Sequence, residues 1–143
     1  MLRKKMRLCD ESGASMVEFA IVLPLLLLIL FGTIEFGLLL YNKQVITNAS
    51  REGARFGIVS QETRKTQSEI RDEVNKYCLQ NLITFGDNKD PQTSFPEHSL
   101  HAAFQDDLTV LVAFEYSFLV LTAFMPNDWT TVNLNAQTTM KYE

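Results

Sequence analysis

The longest apolar stretch of the chain lies near its start. Sixteen uncharged residues run from Phe19 to Ile34, and after Glu35 the apolar character continues to Leu40. As a helix, the 22 residues from Phe19 to Leu40 would extend about 33 Å, which matches a bilayer core of about 30 Å. The pattern predicts a membrane span.

Four basic residues precede this span and indicate its orientation: Arg3, Lys4, Lys5 and Arg7. By the positive-inside tendency, the short N-terminus lies in the cytoplasm and the C-terminal part of the chain lies on the opposite side of the membrane.

The helix is predicted to continue beyond the span. From Asn42 to Gly57 there is no proline, and apolar residues recur at roughly helical spacing. We therefore expect three segments: a basic leader of residues 1–13, a transmembrane and stalk helix of residues 14–58, and a head of residues 59–143.

Within the head, a second helix is predicted from Gln67 to Leu82. Thr66 and Glu69 have the spacing of a capping box at its start. From Thr84 to Asp107 turn-forming residues are frequent, which indicates a loop with a short strand at Leu100 to Phe104.

The last third of the chain alternates between apolar and polar positions, as strands with one buried face do. We expect two antiparallel strands packed against the second helix, and hence an α+β fold. Between them, Ser117 to Met125 is apolar without alternation, so it is either buried in the head or docks on another subunit or on lipid. The residues expected to face inward are Leu108, Val110, Val112, Phe114 and Tyr116 in the first strand, and Val132, Leu134, Ala136, Thr138, Met140 and Tyr142 in the second.

Composition and motifs exclude several classes of function. A net charge of −4 with 13 dispersed Lys and Arg residues argues against a nucleic-acid partner. None of the common catalytic motifs occurs, so we expect neither an enzyme nor a cofactor. His98 and His101 are the only histidines, and without a nearby cysteine they do not predict a zinc site.

The start of the span does not fit an ordinary signal peptide. Its apolar run is too long, and no small-x-small site follows it. Instead a small residue, Gly13, precedes the run, and Glu18 lies five residues after it. A carboxylate at the head of a span is costly, which requires either compensation by a cation or a position at the wet edge of the bilayer.

These residues resemble a known family. The segment Gly13-Ala-Ser-Met-Val-Glu-Phe19 looks like the prepilin peptidase site of Flp-type pilins and TadE-like pseudopilins. The resemblance continues through the span and the segment Asn48-Ala-Ser-Arg-Glu-Gly-Ala-Arg55, and more loosely in the C-terminal Ala136-Gln-Thr-Thr-Met-Lys-Tyr-Glu143.

The resemblance implies a function and a set of site residues. Prepilin peptidase would cleave between Gly13 and Ala14, and Glu18, next to Phe19, would pair with the new amine of Ala14 on the same or a neighbouring subunit. The protein would then be a minor pseudopilin that initiates or caps assembly of a Tad/Flp-type pilus used in adherence. Its partners would be the peptidase, other pseudopilins, the major Flp-type pilin and the inner-membrane platform.

Further along the helix, Glu35 has two possible environments: the headgroups of the far interface, or a contact with a neighbouring helix next to Gly32 and Gly37. The polar group of Arg51, Glu52 and Arg55 is either a solvated helix surface or an inter-subunit contact. The alternative function is an uncleaved single-span protein whose head binds a ligand or scaffolds other proteins.

Overall fold

A single helix of 48 residues, α1 (Glu11–Ile58), forms the N-terminal third of the fold. It is followed by α2 (Gln67–Asn81) and by three strands, β1 (Gln92–Ser94), β2 (Asp107–Ser117) and β3 (Thr131–Lys141). The computed structural model describes residues 11–59, 65–85, 91–96, 107–120, 122 and 131–142. The expected α+β class is confirmed.

Helix α1 is continuous, but its two halves have different surroundings. From Gly13 to Ile34 nearly all side chains are exposed, whereas from Glu35 onward one face is buried. The buried face follows helical spacing and includes Glu35, Asn42, Val45, Ile46, Ala49, Ser50, Gly53, Ala54 and Gly57. The second half of α1 is therefore the central element of the head's core.

Helix α2 begins at the capping box expected from the sequence. The Thr66 hydroxyl accepts from the Glu69 backbone N–H, and the Glu69 carboxylate accepts from the Thr66 N–H at 2.7 Å. Ile70 lies beside Gly57 of α1 and Val74 beside Gly53, so the two helices run antiparallel. The buried apolar face of α2 consists of Ile70, Val74 and Cys78.

The sheet has the order β1-β2-β3, with both neighbouring pairs antiparallel. Leu108 pairs with Met140 and Ser117 pairs with Thr131. The alternation expected in β2 is confirmed, because all five of its predicted inward positions are buried.

Two expectations about the head differ from the structure. The sheet packs mainly on α1 rather than on α2, because α1 presents the larger apolar face. The loop expected from Thr84 to Asp107 contains β1, a three-residue strand whose sequence is too short to show alternation. The strand expected at Leu100 to Phe104 lies outside the described residues.

Helix α1 lies very close to the rest of the head at two glycines, Gly53 and Gly57. A Cβ atom added to Gly53 would lie 2.4 Å from Val74 Cγ2, and one added to Gly57 would lie 2.4 Å from Leu108 Cδ2. These glycines form a notch that receives α2 on one side and β2 on the other.

We predict that Gly53→Ala lowers the free energy of unfolding. The new methyl group overpacks a branched side chain, and the helix propensity gained by alanine only partly offsets this, leaving a net loss of about 1–2 kcal/mol. Thermal unfolding of the full chain in detergent, followed by circular dichroism, measures the effect. Gly37→Ala is the control, because nothing lies within 4 Å of its Cβ position. Equal stability of the two variants would contradict the tight approach.

The thiol of Cys78 gives a second prediction, for alkaline pH. Burial raises its pKa from 9.0 to about 11, so the folded state keeps the proton at a pH where the unfolded chain releases it. Stability from this group is fully present below pH 9 and falls by up to about 2–3 kcal/mol as pH rises towards 11. Cys78→Ala should have a shallower decline in denaturant-midpoint measurements over that range. Identical slopes would show that the thiol does not titrate there.

Candidate functional site: the apolar N-terminal helix and its carboxylates

The first half of α1 presents a large apolar surface that nothing in the described structure covers. Phe19, Ile21, Leu25 and Ile29 are each more than half exposed. Among the described residues, α1 is the one helix long and apolar enough to cross a membrane, and its most apolar part is not buried at all. A surface of this size is unfavourable in water and is typical of a segment that contacts lipid or other subunits.

The residues of the expected cleavage site lie at the start of this surface. Gly13, Ala14, Glu18 and Phe19 are all exposed on α1, and nothing lies within 4 Å of the Gly13 Cβ position. The Gly13–Ala14 bond lies near the start of the described part of α1.

Glu18 lies four residues after Ala14, so the two residues share one face of α1. Helical side chains tilt towards the N-terminus, which directs the Glu18 carboxylate back to the level of Ala14. An amine created at Ala14 is thus within one turn of the carboxylate.

Glu35 marks the point where α1 changes from an exposed to a buried helix. Its side chain is only 4% exposed. Oε1 accepts hydrogen bonds from the backbone N–H groups of Leu119 and Val120, both at 2.5 Å. The structure therefore gives Glu35 an environment inside its own subunit. It does not test the two environments predicted from the sequence, which are the lipid headgroups and a neighbouring helix.

An aromatic residue lies close to the same carboxylate. Tyr116 is buried at the end of β2, and its ring packs edge-to-face on Phe118 with centroids 5.5 Å apart. Desolvation, and then the negative charge of Glu35, raise the pKa of the Tyr116 hydroxyl. This aromatic pair therefore lies beside Glu35, whose hydrogen bonds to Leu119 and Val120 join the chain after β2 to α1.

Asn42 is a second polar anchor on the buried face, and sequence analysis missed it. Its side chain donates to the Ile83 carbonyl at 2.7 Å and accepts from the Ile83 N–H at 3.0 Å. This pair holds the chain just after α2 against α1. The sequence did contain a signal that Asn42 lies on the buried face. Glu35, Asn42 and Ala49 recur every seven residues and so lie on one face of the helix.

The polar group near the end of α1 is partly paired within the helix. Arg55 and Glu52 form a bidentate ion pair, with Nη2–Oε1 at 2.6 Å and Nε–Oε2 at 3.1 Å. This hydrogen bonding to Arg55 lowers the pKa of Glu52. Arg51 is exposed and forms no ion pair with any residue that the structure describes. A contact of these residues with another subunit stays a prediction.

A metal site receives no support from the described part of the chain, where no group of three His, Cys, Asp or Glu side chains converges. His98 and His101 lie outside the described residues.

Most of α1 is similar to a known protein family. Residues 13–55 match the family model described as TadE-like protein. Because they are similar to that family, we call residues 13–55 the TadE-like segment. The match starts at Gly13, the residue before the expected cleavage site, and it ends at Arg55, so the looser C-terminal resemblance is not part of it. No match was found among curated proteins or solved structures.

The TadE-like segment and the exposed apolar helix together fit a membrane-anchored, pilin-like protein related to the Tad pilus. The head, which lies mostly outside the matched segment, packs on that segment through Glu35, Asn42 and the glycine notch.

We predict that Glu35→Leu exposes the Leu119 and Val120 amides to solvent exchange. Hydrogen bonds to a charged acceptor contribute about 1.5–3 kcal/mol, which corresponds to about 10–100-fold faster exchange when they are lost. Hydrogen–deuterium exchange of the full chain in detergent measures this. Glu35→Gln keeps one carbonyl acceptor and should have a smaller effect. Unchanged exchange in Glu35→Leu would contradict the contact.

Proposed function

We propose that the protein is a minor pseudopilin of a Tad/Flp-type pilus, and that prepilin peptidase cleaves it after Gly13. The observation that carries this proposal is the position of Gly13 at the first matched residue of the TadE-like segment, directly before the exposed apolar surface of α1. Cleavage there removes the basic leader and leaves the whole apolar helix on the mature protein.

Cleavage also changes the charge at the start of the helix. The new α-amine of Ala14 has an ordinary pKa near about 8 and is mostly protonated at neutral pH. It lies one turn from Glu18, whose carboxylate forms no ion pair with any residue that the structure describes. Pairing on the same or a neighbouring subunit would then favour one stagger between adjacent helices.

The proposed topology places the leader in the cytoplasm and the head on the periplasmic or extracellular side of the bacterial inner membrane, because the leader carries the basic residues. The apolar half of α1 first contacts lipid and later packs against other pseudopilins and the major Flp-type pilin. In this arrangement the protein initiates or caps polymerisation on the inner-membrane platform, for a pilus used in adherence. We expect no catalytic role.

Of the polar residues near the end of α1, Arg51 is the best placed for a contact with another subunit. Glu52 and Arg55 neutralise one another within the helix, whereas Arg51 projects an unpaired cation among the described residues. We propose that Arg51 binds a carboxylate of a neighbouring subunit, with the Glu52–Arg55 pair beside it.

The processing step is tested by expressing the full chain with its prepilin peptidase. We predict that wild type loses the leader and that Gly13→Val does not, because a branched Cβ next to the scissile bond prevents close approach of the peptidase backbone. Gly32→Val is the matched control and should be processed normally, since its Cβ position is also open. Mass shift on a gel or by mass spectrometry gives the result.

Glu18→Gln separates processing from assembly. It keeps the size of the side chain but removes the charge, so we expect normal cleavage and reduced recovery in the sheared pilus fraction.

Processing of Gly13→Val like wild type would contradict the proposed site. An intact leader on the wild-type protein would favour the uncleaved single-span alternative.

A further inference from the structure

The connection between β2 and β3 starts beside α1 at the level of the membrane. We call its described start, Phe118–Val120, the hairpin tip. Glu35, which binds the tip, lies 16 residues after Phe19, hence about 24 Å along the helix axis. With Phe19 at one edge of a hydrocarbon core about 30 Å thick, Glu35 lies about 6 Å inside the other edge. The tip is at the same depth.

Two backbone N–H groups of the tip have a hydrogen-bond acceptor within the protein. Irregular backbone is tolerated at membrane depth only where its polar groups find partners in the protein. Glu35 Oε1 accepts from two successive N–H groups, those of Leu119 and Val120. The same bonds offset the cost of placing the carboxylate there. The carboxylate and the two N–H groups therefore offset one another's desolvation cost.

Exposed apolar side chains occur on the tip and on α1 near this level. Leu119 is 57% exposed, and on α1 the residues Phe36 and Leu40 are 59% and 52% exposed. No charged residue occurs in the sequence between Glu115 and Asp128. The exposed surface of the tip is therefore apolar, like that of the span, and lies at the depth where the span ends.

We propose that the hairpin tip inserts into the lipid leaflet on the head's side, as a second membrane contact next to the span. Lipid is favoured over a protein partner because the tip is fixed to the lipid-exposed helix at a depth that the hydrocarbon already occupies. Insertion of about 5–10 Å is usual for interfacial apolar segments. With two contacts instead of one, the head has a fixed rotation about the helix axis. The inference rests on the membrane anchor of α1, not on cleavage or on pilus assembly.

Tryptophan quenching by brominated lipid tests this insertion. The single native tryptophan, Trp129, is replaced by phenylalanine, and Leu119→Trp, Leu27→Trp and Val59→Trp are made in that background. Each full-length variant is reconstituted into phosphatidylcholine–phosphatidylglycerol vesicles with or without acyl-chain bromines. Leu27 lies within the span, and Val59, which is 50% exposed, lies just after α1 and about 36 Å from Glu35 along the helix axis. Circular dichroism confirms that each variant is folded.

We expect bromines to remove most of the Leu27→Trp emission and a large part of the Leu119→Trp emission, with a blue shift in both, and to leave Val59→Trp unchanged. Leu119→Trp emission that is red-shifted and unquenched would overturn the proposal by placing the tip in water. Blue-shifted but unquenched emission would overturn it in favour of a protein contact, such as a second copy. If Leu27→Trp is also unquenched, the membrane anchor itself is wrong, which distinguishes that failure from failure of the tip alone.

Discussion

A carboxylate on an apolar helix must have hydrogen-bond donors, and the fold is arranged around the donors that Glu35 receives. Before Glu35, α1 faces outward on nearly all sides; after it, one face of the helix is the core of the head. The N–H groups of Leu119 and Val120 supply the donors, so the end of β2 must lie at this turn of the helix. That requirement sets the position of the sheet along α1.

The other contacts of α1 follow from the same position. Leu108, at the opposite end of β2, reaches Gly57, and Ile70 at the start of α2 reaches the same glycine. Asn42 fixes the chain after α2 through both polar groups of Ile83. Along one helix face the polar anchors Glu35 and Asn42 come first and small residues follow from Ala49 to Gly57. A single long helix therefore serves as an anchor at one end and as a core element at the other.

Much of this arrangement was predictable from sequence, because its signals are local. The capping box of Thr66 and Glu69, the alternation of β2 and β3, and the length of the span each depend on neighbouring residues. The roles of Glu35 and Asn42 were not predictable in this way, since their partners are backbone groups 41 or more residues away. Strand β1 was missed because three residues are too few to establish a period. At the proposed cleavage site, Gly13 and Glu18 gained meaning only through the family resemblance.

The apolar half of α1 links the anchor to the proposed pilus role, because the same exposed surface suits lipid and neighbouring helices equally. Both uses require that the apolar helix is retained, and the proposed pilus role also requires that the leader is removed. The most direct measurement is the intact mass of the protein purified from the membranes of its native host. We predict a mature protein that begins at Ala14 with a free amine and keeps all of α1 after that residue. A protein that retains residues 1–13, or one that has lost the apolar helix, would contradict the proposed function.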